Sequence, residues 1–260
     1  DHISKADIED YIVHRQGNRQ SNRTINIELS VIRCLLEFAK DRGYAEVNVG
    51  RAIKNLKQLS REITLPTDEQ FTSFLEECKK VKYGRQFSVY ILLRYASGLR
   101  PSEASCLLWS DIDFKGEQIR VASRENNPLK RGSARFVDMH PSLKTELEAW
   151  RAEWISRFRG NPPHDWVFFN PQRVSENAKG FRGAFNTARK KAGIPWLRSY
   201  DLRHWFISTA IMAGVDYLTV MAWSGHKSSA MIDKVHGHLK KGHTKAQMQK
   251  LDLGLNRKAV

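Results

Sequence analysis

The stretch Lys57-Gln-Leu-Ser-Arg-Glu-Ile-Thr64 breaks helical periodicity and turns polar, dividing the chain into two segments that must each build a core. Before it, Ile25, Leu29, Ile32, Leu36 and Ala39 recur at helical spacing between Asn22 and Gly43, with Ser21 or Asn22 able to cap the start and Gly43 to end it. A shorter helix is predicted over Ile3–His14, and a further helical stretch after Asn48 carries Ala52, Ile53 and Leu56. Beyond the break, Thr67-Asp-Glu-Gln70 has the pattern of a capping box ahead of Phe71, Phe74 and Leu75. A chain of 260 residues is long for one core and comfortable for two, so the domains are placed at 1–62 and 63–260.

The second segment reads as a strongly apolar helix over Phe87–Ala96 closed by Gly98, then a short helix opened by Pro101. Two β-like runs follow, Gln118–Val121 and Ala134–Met139, joined by the polar loop Ser123–Ser133. The remainder reads as helix, broken at Gly193-Ile-Pro195, Gly214, Gly225 and Gly242. The expected fold is mainly α with one small antiparallel β-sheet. Trp109, Trp150, Trp154 and Trp205 sit on apolar helical faces and are expected in the core.

Composition narrows the partner. Lys and Arg number 43 against 28 Asp and Glu, a formal charge of +15. Residues 1–62 hold 11 basic and 9 acidic residues, leaving 32 and 19 for residues 63–260, so the excess lies in the larger segment. An excess of this size points to a polyanion, and nucleic acid is the commonest. No apolar run reaches the roughly 18 residues of a spanning helix, so no membrane is expected. Three scattered cysteines, Cys34, Cys78 and Cys106, cannot form a disulfide framework, which fits a reducing compartment. The chain starts without Met or a signal pattern, which implies processing or trimming and leaves room for a preceding domain.

Two stretches place polar groups at the boundaries of apolar helices: Ala96-Ser-Gly-Leu-Arg-Pro-Ser-Glu103, and Ser199-Tyr-Asp-Leu-Arg-His-Trp205, the latter followed by Trp223-Ser-Gly-His226. An arginine in a Gly/Pro turn is ordinarily a surface residue. Arg100, Arg203 and His226 together suit a phosphodiester, because guanidinium forks pair with non-bridging oxygens and stabilise the charge added in the transition state.

These residues also carry a family resemblance. Gly98-Leu-Arg-Pro-Ser-Glu103 with Leu108-Trp-Ser-Asp-Ile-Asp113, then Tyr200-Asp-Leu-Arg-His204, then Ser224-Gly-His-Lys-Ser-Ser229, resemble in order and spacing the tyrosine recombinases, the family of phage integrases. Asn22-Arg-Thr-Ile-Asn-Ile-Glu-Leu29 and Phe38-Ala-Lys-Asp-Arg-Gly43 are similar to that family's helical core-binding domain. The resemblance implies a core-binding domain over 1–62 and a catalytic domain over 63–260, clamped around double-stranded DNA. The activity it implies is site-specific DNA breaking and rejoining through a covalent 3′-phospho-protein intermediate, as in an integrase of a prophage or mobile element.

By the same resemblance Arg100 and Arg203 match the catalytic arginines, Glu103 the acidic residue supporting the first box, and His226 the late-box histidine. Lys130, preferred over Arg131, matches the hairpin lysine that acts as general acid toward the 5′-hydroxyl. Arg131, Arg135, His204 and Lys227 are expected to contact DNA. The family also implies a homo-oligomer, a tetramer on paired sites, with Thr244–Leu255 as a closing helix or a helix packing on a neighbouring subunit. A cytoplasmic location, at the nucleoid or in the host cell of a phage, goes with it. His236, His238 and His243 cluster without a Cys or carboxylate set at ligand spacing, and no Walker-type loop is present, so neither metal nor nucleotide cofactor is expected.

Two positions depart from the family pattern. Tyr200 stands where His is commonest; a phenol still donates to a phosphate oxygen but is a poorer proton acceptor. The nucleophilic tyrosine is missing: in Asp233-Lys-Val-His-Gly-His-Leu239 the Tyr-x-His-Leu frame puts His236 in its slot, and the nine-residue spacing Val235. Valine cannot attack phosphorus, whereas neutral imidazole can, forming a phosphoramidate. Three readings stand: a substitution that traps a DNA complex, a natural loss leaving a non-catalytic DNA-binding protein with the recombinase fold, or a histidine nucleophile.

Overall fold

The computed structural model describes residues 3–58, 64–124, 134–178 and 181–226, with 228 and 232. The chain divides into two compact units, Asp1–Glu62 and Ile63–Val260. Gly242 and the segment 244–255 lie outside the described residues.

In the first unit, α1 (Lys5–Gly17) opens on a capping box in which Asp7 N–H donates to the Ser4 hydroxyl while the Ser4 N–H donates to the Asp7 carboxylate at 2.7 Å. Helix α2 (Asn22–Asp41) is capped by Ser21, which accepts from Thr24 N–H at 3.1 Å. Ile8 and Ile12 of α1 meet Ile25, Leu29 and Leu36 of α2 and Ile53 in one buried cluster. The expected helix after Asn48 is a single 3₁₀ turn, Val49–Ala52, followed by extended chain. Side chains of α2 satisfy that backbone instead of a helical ladder. Asn26 donates to the Leu56 carbonyl at 2.9 Å and accepts from Leu56 N–H at 2.8 Å, and Arg33 donates to the carbonyls of Gly50 and Ile53 at 3.0 and 2.7 Å.

The second unit is built around α4 (Gly84–Ser97), which packs against α3 (Asp68–Lys80), α6 (Pro141–Arg157) and α8 (Asp201–Met212). Helix α3 starts at the expected Thr67/Gln70 capping box. Phe87, Val89, Ile91 and Leu93 of α4 are wholly buried, each such side chain contributing about 1.5–3 kcal/mol. Trp109, Trp150, Trp154 and Trp205 lie in the same core, as expected.

The short α5 (Pro101–Ser105) leads into an antiparallel sheet, β1 (Ile112–Asp113), β2 (Gln118–Val121) and β3 (Arg135–Asp138), in the order β1-β2-β3, with Ile119 opposite Val137 facing the core. Both β-like runs are therefore strands. A second antiparallel pair, β4 (Phe169–Asn170) and β5 (Arg173–Asn177), occupies a region read as helical. Buried Phe168 and Phe169 anchor it, while Gln86 of α4 exchanges two hydrogen bonds with the Phe169 backbone at 3.0 and 3.1 Å. Strands this short carry too little alternation to be told from loop or helix in sequence. Helices α7 (Arg182–Lys191) and α9 (Tyr217–Ser224) also belong to the described part of the unit, α9 packing on β3.

Candidate active site

The Gly98 turn lets α4 end and α5 begin with only three residues between them. Gly98 takes φ +65°, and a Cβ there would lie 2.4 Å from the Phe206 ring of α8, so the turn and α8 approach at a distance only glycine permits. This approach carries Arg100, which precedes α5, to Arg203 on the first turn of α8.

Arg203 is 1% exposed. Its Nη1 donates to the Gly98 carbonyl at 2.7 Å, its Nη2 to the Ser224 carbonyl, and Nη2 lies 3.5 Å from His226 Nε2. A guanidinium has five N–H donors, so these three contacts do not exhaust those of Arg203. Burial, and next the neighbouring Arg100, lower Arg203 to about 10, still fully charged at neutral pH.

Glu103 organises the other arginines. Its carboxylate accepts from the Arg100 N–H at 2.8 Å, Arg100 Nη1 at 2.7 Å, Arg135 Nη1 at 3.1 Å and Arg135 Nη2 at 2.8 Å. Burial raises a carboxyl, but here the hydrogen bonds and charges of Arg135 and Arg100 outweigh it and bring Glu103 down to about 2. Arg100 is desolvated yet raised overall, chiefly by the charge and hydrogen bond of Glu103, with a smaller contribution from nearby Tyr200. Arg135 also donates Nε to the Trp223 carbonyl at 2.8 Å. Its fork is thus turned onto Glu103, and Gly225 (φ +67°) leaves room for it, since a Cβ there would sit 3.3 Å from Arg135 Cδ.

His226 stands between Ser224 and Arg203, with Nδ1 2.9 Å from the Ser224 hydroxyl. Because Arg203 can only donate, the compatible neutral tautomer carries its proton on Nδ1 and presents Nε2 as acceptor. Burial, reinforced by Arg203 and Arg100, lowers His226 to about 4. Tyr200 is 43% exposed and meets the His204 ring edge-on at 5.4 Å. His204 itself is half-buried and lowered, mainly by burial.

Among the described residues the cluster sets two guanidiniums on one carboxylate with a third, that of Arg203, close by, leaving two positive charges uncompensated beside a neutral imidazole and a phenol. That arrangement binds an anion and stabilises further negative charge on it. Arg100, Glu103, Tyr200, Arg203 and His226 are brought together as expected from their motifs, whereas Lys130, Arg131, Lys227 and His236 lie outside the described residues. Sequence reasoning missed Ser224 as the imidazole's partner and Arg94 beneath the turn; the one available signal was a charged residue within the apolar run of α4. No group of three or more His, Cys, Asp or Glu residues able to hold a metal occurs among the described residues, and none of their helices is long and apolar enough to cross a membrane.

Residues 66–243 match the model of the phage integrase family. The ICEBs1 integrase of Bacillus subtilis strain 168 is 23% identical over 96% of this chain and 71% of its own length. A tyrosine recombinase XerC-like protein of Caldanaerobacter subterraneus is 24% identical over 87% of this chain and 64% of its own, and a protein of Escherichia coli K12 named putative defective protein IntQ is 25% identical over 95% and 67%. In fold, the chain is similar to the Tn1549 transposon integrase (residues 82–397) in complex with circular intermediate DNA, at TM-score 0.75 and 19% identity over 95% of this chain and 85% of that one. It is also similar to a λ integrase dimer bound to a COC′ core site, at TM-score 0.71 and 16% identity over 90% and 80%. The site and fold define a DNA breaking-rejoining protein of the recombinase class. The chain belongs to the phage integrase family, the tyrosine recombinases.

Proposed function

We propose that Arg100, Arg203 and His226 form the phosphodiester clamp of a site-specific DNA recombinase, an integrase of a prophage or other mobile element. The observation that carries this is that Arg203 meets the His226 imidazole while Arg100, from a distant box and held by Glu103, lies near enough for its charge to act on the same ring. The forks of Arg100 and Arg203 engage the non-bridging oxygens, and the Tyr200 hydroxyl adds a donor. An arriving phosphate anion offsets the arginines' effect on His226 and favours its proton-bearing forms, so that Nε2 becomes a donor to the same phosphate.

In the reaction a nucleophile on the chain attacks phosphorus, a 3′-phospho-protein bond forms, and the P–O5′ bond breaks. The leaving 5′-oxygen takes a proton from Lys130, and attack by a 5′-hydroxyl reverses the step. Glu103 and Arg135 position Arg100 from below. His204 backs the Tyr200 ring, and Arg131, with Lys227, is assigned to backbone phosphates. Residues 1–62 serve as the core-binding domain and residues 63–260 as the catalytic domain, acting in the cytoplasm on duplex DNA as a tetramer on paired sites. The λ neighbour, a dimer on a core site, supports multimeric action on DNA.

His236 in the slot where the family pattern has tyrosine favours a second reading, a DNA-binding protein that keeps the fold without the chemistry. One experiment separates the two. The protein, His236→Tyr and His236→Ala are incubated with a nicked duplex carrying the recognition site, and denaturation-resistant adducts are counted. An adduct with the chain as given, lost in His236→Ala, assigns the nucleophile to His236. An adduct only with His236→Tyr marks a recombinase scaffold lacking its nucleophile, and no adduct with any variant refutes the catalytic reading in favour of binding without chemistry.

A further inference from the structure

The run Phe87–Ala96 of α4 is apolar apart from Ser88 and Arg94, and Arg94 is completely buried. Its Nη1 donates to the Ser199 hydroxyl at 2.6 Å and its Nη2 to the Ser199 carbonyl. Nε lies 3.5 Å from the Leu99 carbonyl oxygen, and the guanidinium carbon 5.5 Å from the centre of the Tyr90 ring. Each of these partners is neutral, so a whole positive charge is held out of water by dipoles and a ring face alone. Burial accordingly lowers Arg94 from the ordinary arginine value.

If filling the core were the only task, an apolar side chain of the same volume would avoid that desolvation cost. The carbonyls that Arg94 engages explain its presence: they belong to the residues immediately before Arg100 and Tyr200. The adjacent Gly98 carbonyl is held by Arg203 at 2.7 Å, so two buried guanidiniums grip consecutive carbonyls of a single turn.

We infer that Arg94 is a positioning residue whose fork ties the Leu99–Arg100 turn to Ser199–Tyr200 and so sets the spacing of the two phosphate-binding arginines. Lysine in its place would keep the charge but could not span both turns, because it lacks the planar fork. The role rests on the phosphodiester reading of the site, which the wild-type arm of the following experiment tests by itself.

Inorganic phosphate is the probe, and the His226 ring, followed by NMR in the intact chain with ¹³C-labelled histidines and assigned through His226→Gln, is the reporter. In the wild type, phosphate raises the His226 titration midpoint saturably. In Arg94→Lys the apparent phosphate affinity falls on the order of fivefold, and the His226 midpoint without phosphate rises because Arg203 and Arg100 move. Arg94→Lys binding phosphate as tightly as wild type overturns the proposal, because charge alone then suffices. Should Arg94→Lys fail to fold, Ser199→Ala, which removes only the hydroxyl acceptor, is read the same way, with a loss of about twofold expected and an unchanged affinity overturning the role. A wild-type His226 indifferent to phosphate overturns the site reading itself, and this role with it.

Discussion

Glu103→Gln tests how the site holds like charges together. The wild-type carboxylate is 2% exposed in its side chain and accepts four hydrogen bonds from Arg100 and Arg135. A carboxyl brought to about 2 from an ordinary 4.5 is favoured in its ionised form by about 3 kcal/mol in the folded state. Glutamine keeps the shape but has one acceptor oxygen, and its amide N–H groups face arginine donors. Two guanidiniums are then left beside each other and Arg203 without the counter-charge, a loss in the range of about 3–5 kcal/mol for breaking a buried pair. For a unit of this size that lowers Tm by about 6–20 °C.

The pH signature identifies the cause. A carboxyl lowered by folding contributes fully above its unfolded-state value and loses its contribution as pH falls toward its folded-state value of about 2. Calorimetric melting of wild type and variant should therefore give a stability difference that is flat above about pH 5 and shrinks by about 1.4 kcal/mol per pH unit below the ordinary carboxyl value. A difference under about 1 kcal/mol at neutral pH, or one unchanged between about pH 5 and pH 2.5, would refute the charge-clamp account of Glu103.

His226 should titrate well below the ordinary histidine value, near 4, in an NMR pH series; a midpoint near 6.5 contradicts the burial and arginine proximity seen here. Because folding favours its neutral form, stability should fall as pH drops from about 6.5 to 4, and His226→Gln should remove that part of the slope in chemical denaturation. Gly98→Ala adds a Cβ 2.4 Å from Phe206 at a left-handed backbone position and should cost about 2–4 kcal/mol by urea unfolding; a loss under about 0.5 kcal/mol would mean the turn can relax. Arg100→Ala should abolish the covalent adduct in whichever chain forms one while leaving duplex affinity at low salt within about tenfold; abolished binding would reassign Arg100 to holding DNA in register.

Much of the fold was legible because its signals are local. The Thr67/Gln70 capping box, the Ser21 cap and the apolar run of α4 depend on residues within a turn or two of one another, and each stands where the pattern places it. The 3₁₀ turn after Asn48 and the β4–β5 pair were not legible, because their backbone partners come from far along the chain: Asn26 and Arg33 in one case, Gln86 in the other. The site divides in the same way. Arg100, Arg203 and His226 were visible as polar residues at helix boundaries, but the motif could not say what each side chain touches.

By itself, then, the sequence determined the helical framework, the break near residue 60, the basic excess of the larger segment and the boxes that mark a recombinase, since all of these are properties of composition and short spacing. Only the tertiary structure decided that Arg135 turns onto Glu103, that Ser224 orients His226, and that Arg94 lies buried under both turns. Those contacts join residues up to 105 positions apart, and their energies come from desolvation, which depends on everything packed around a group and not on its neighbours in the chain.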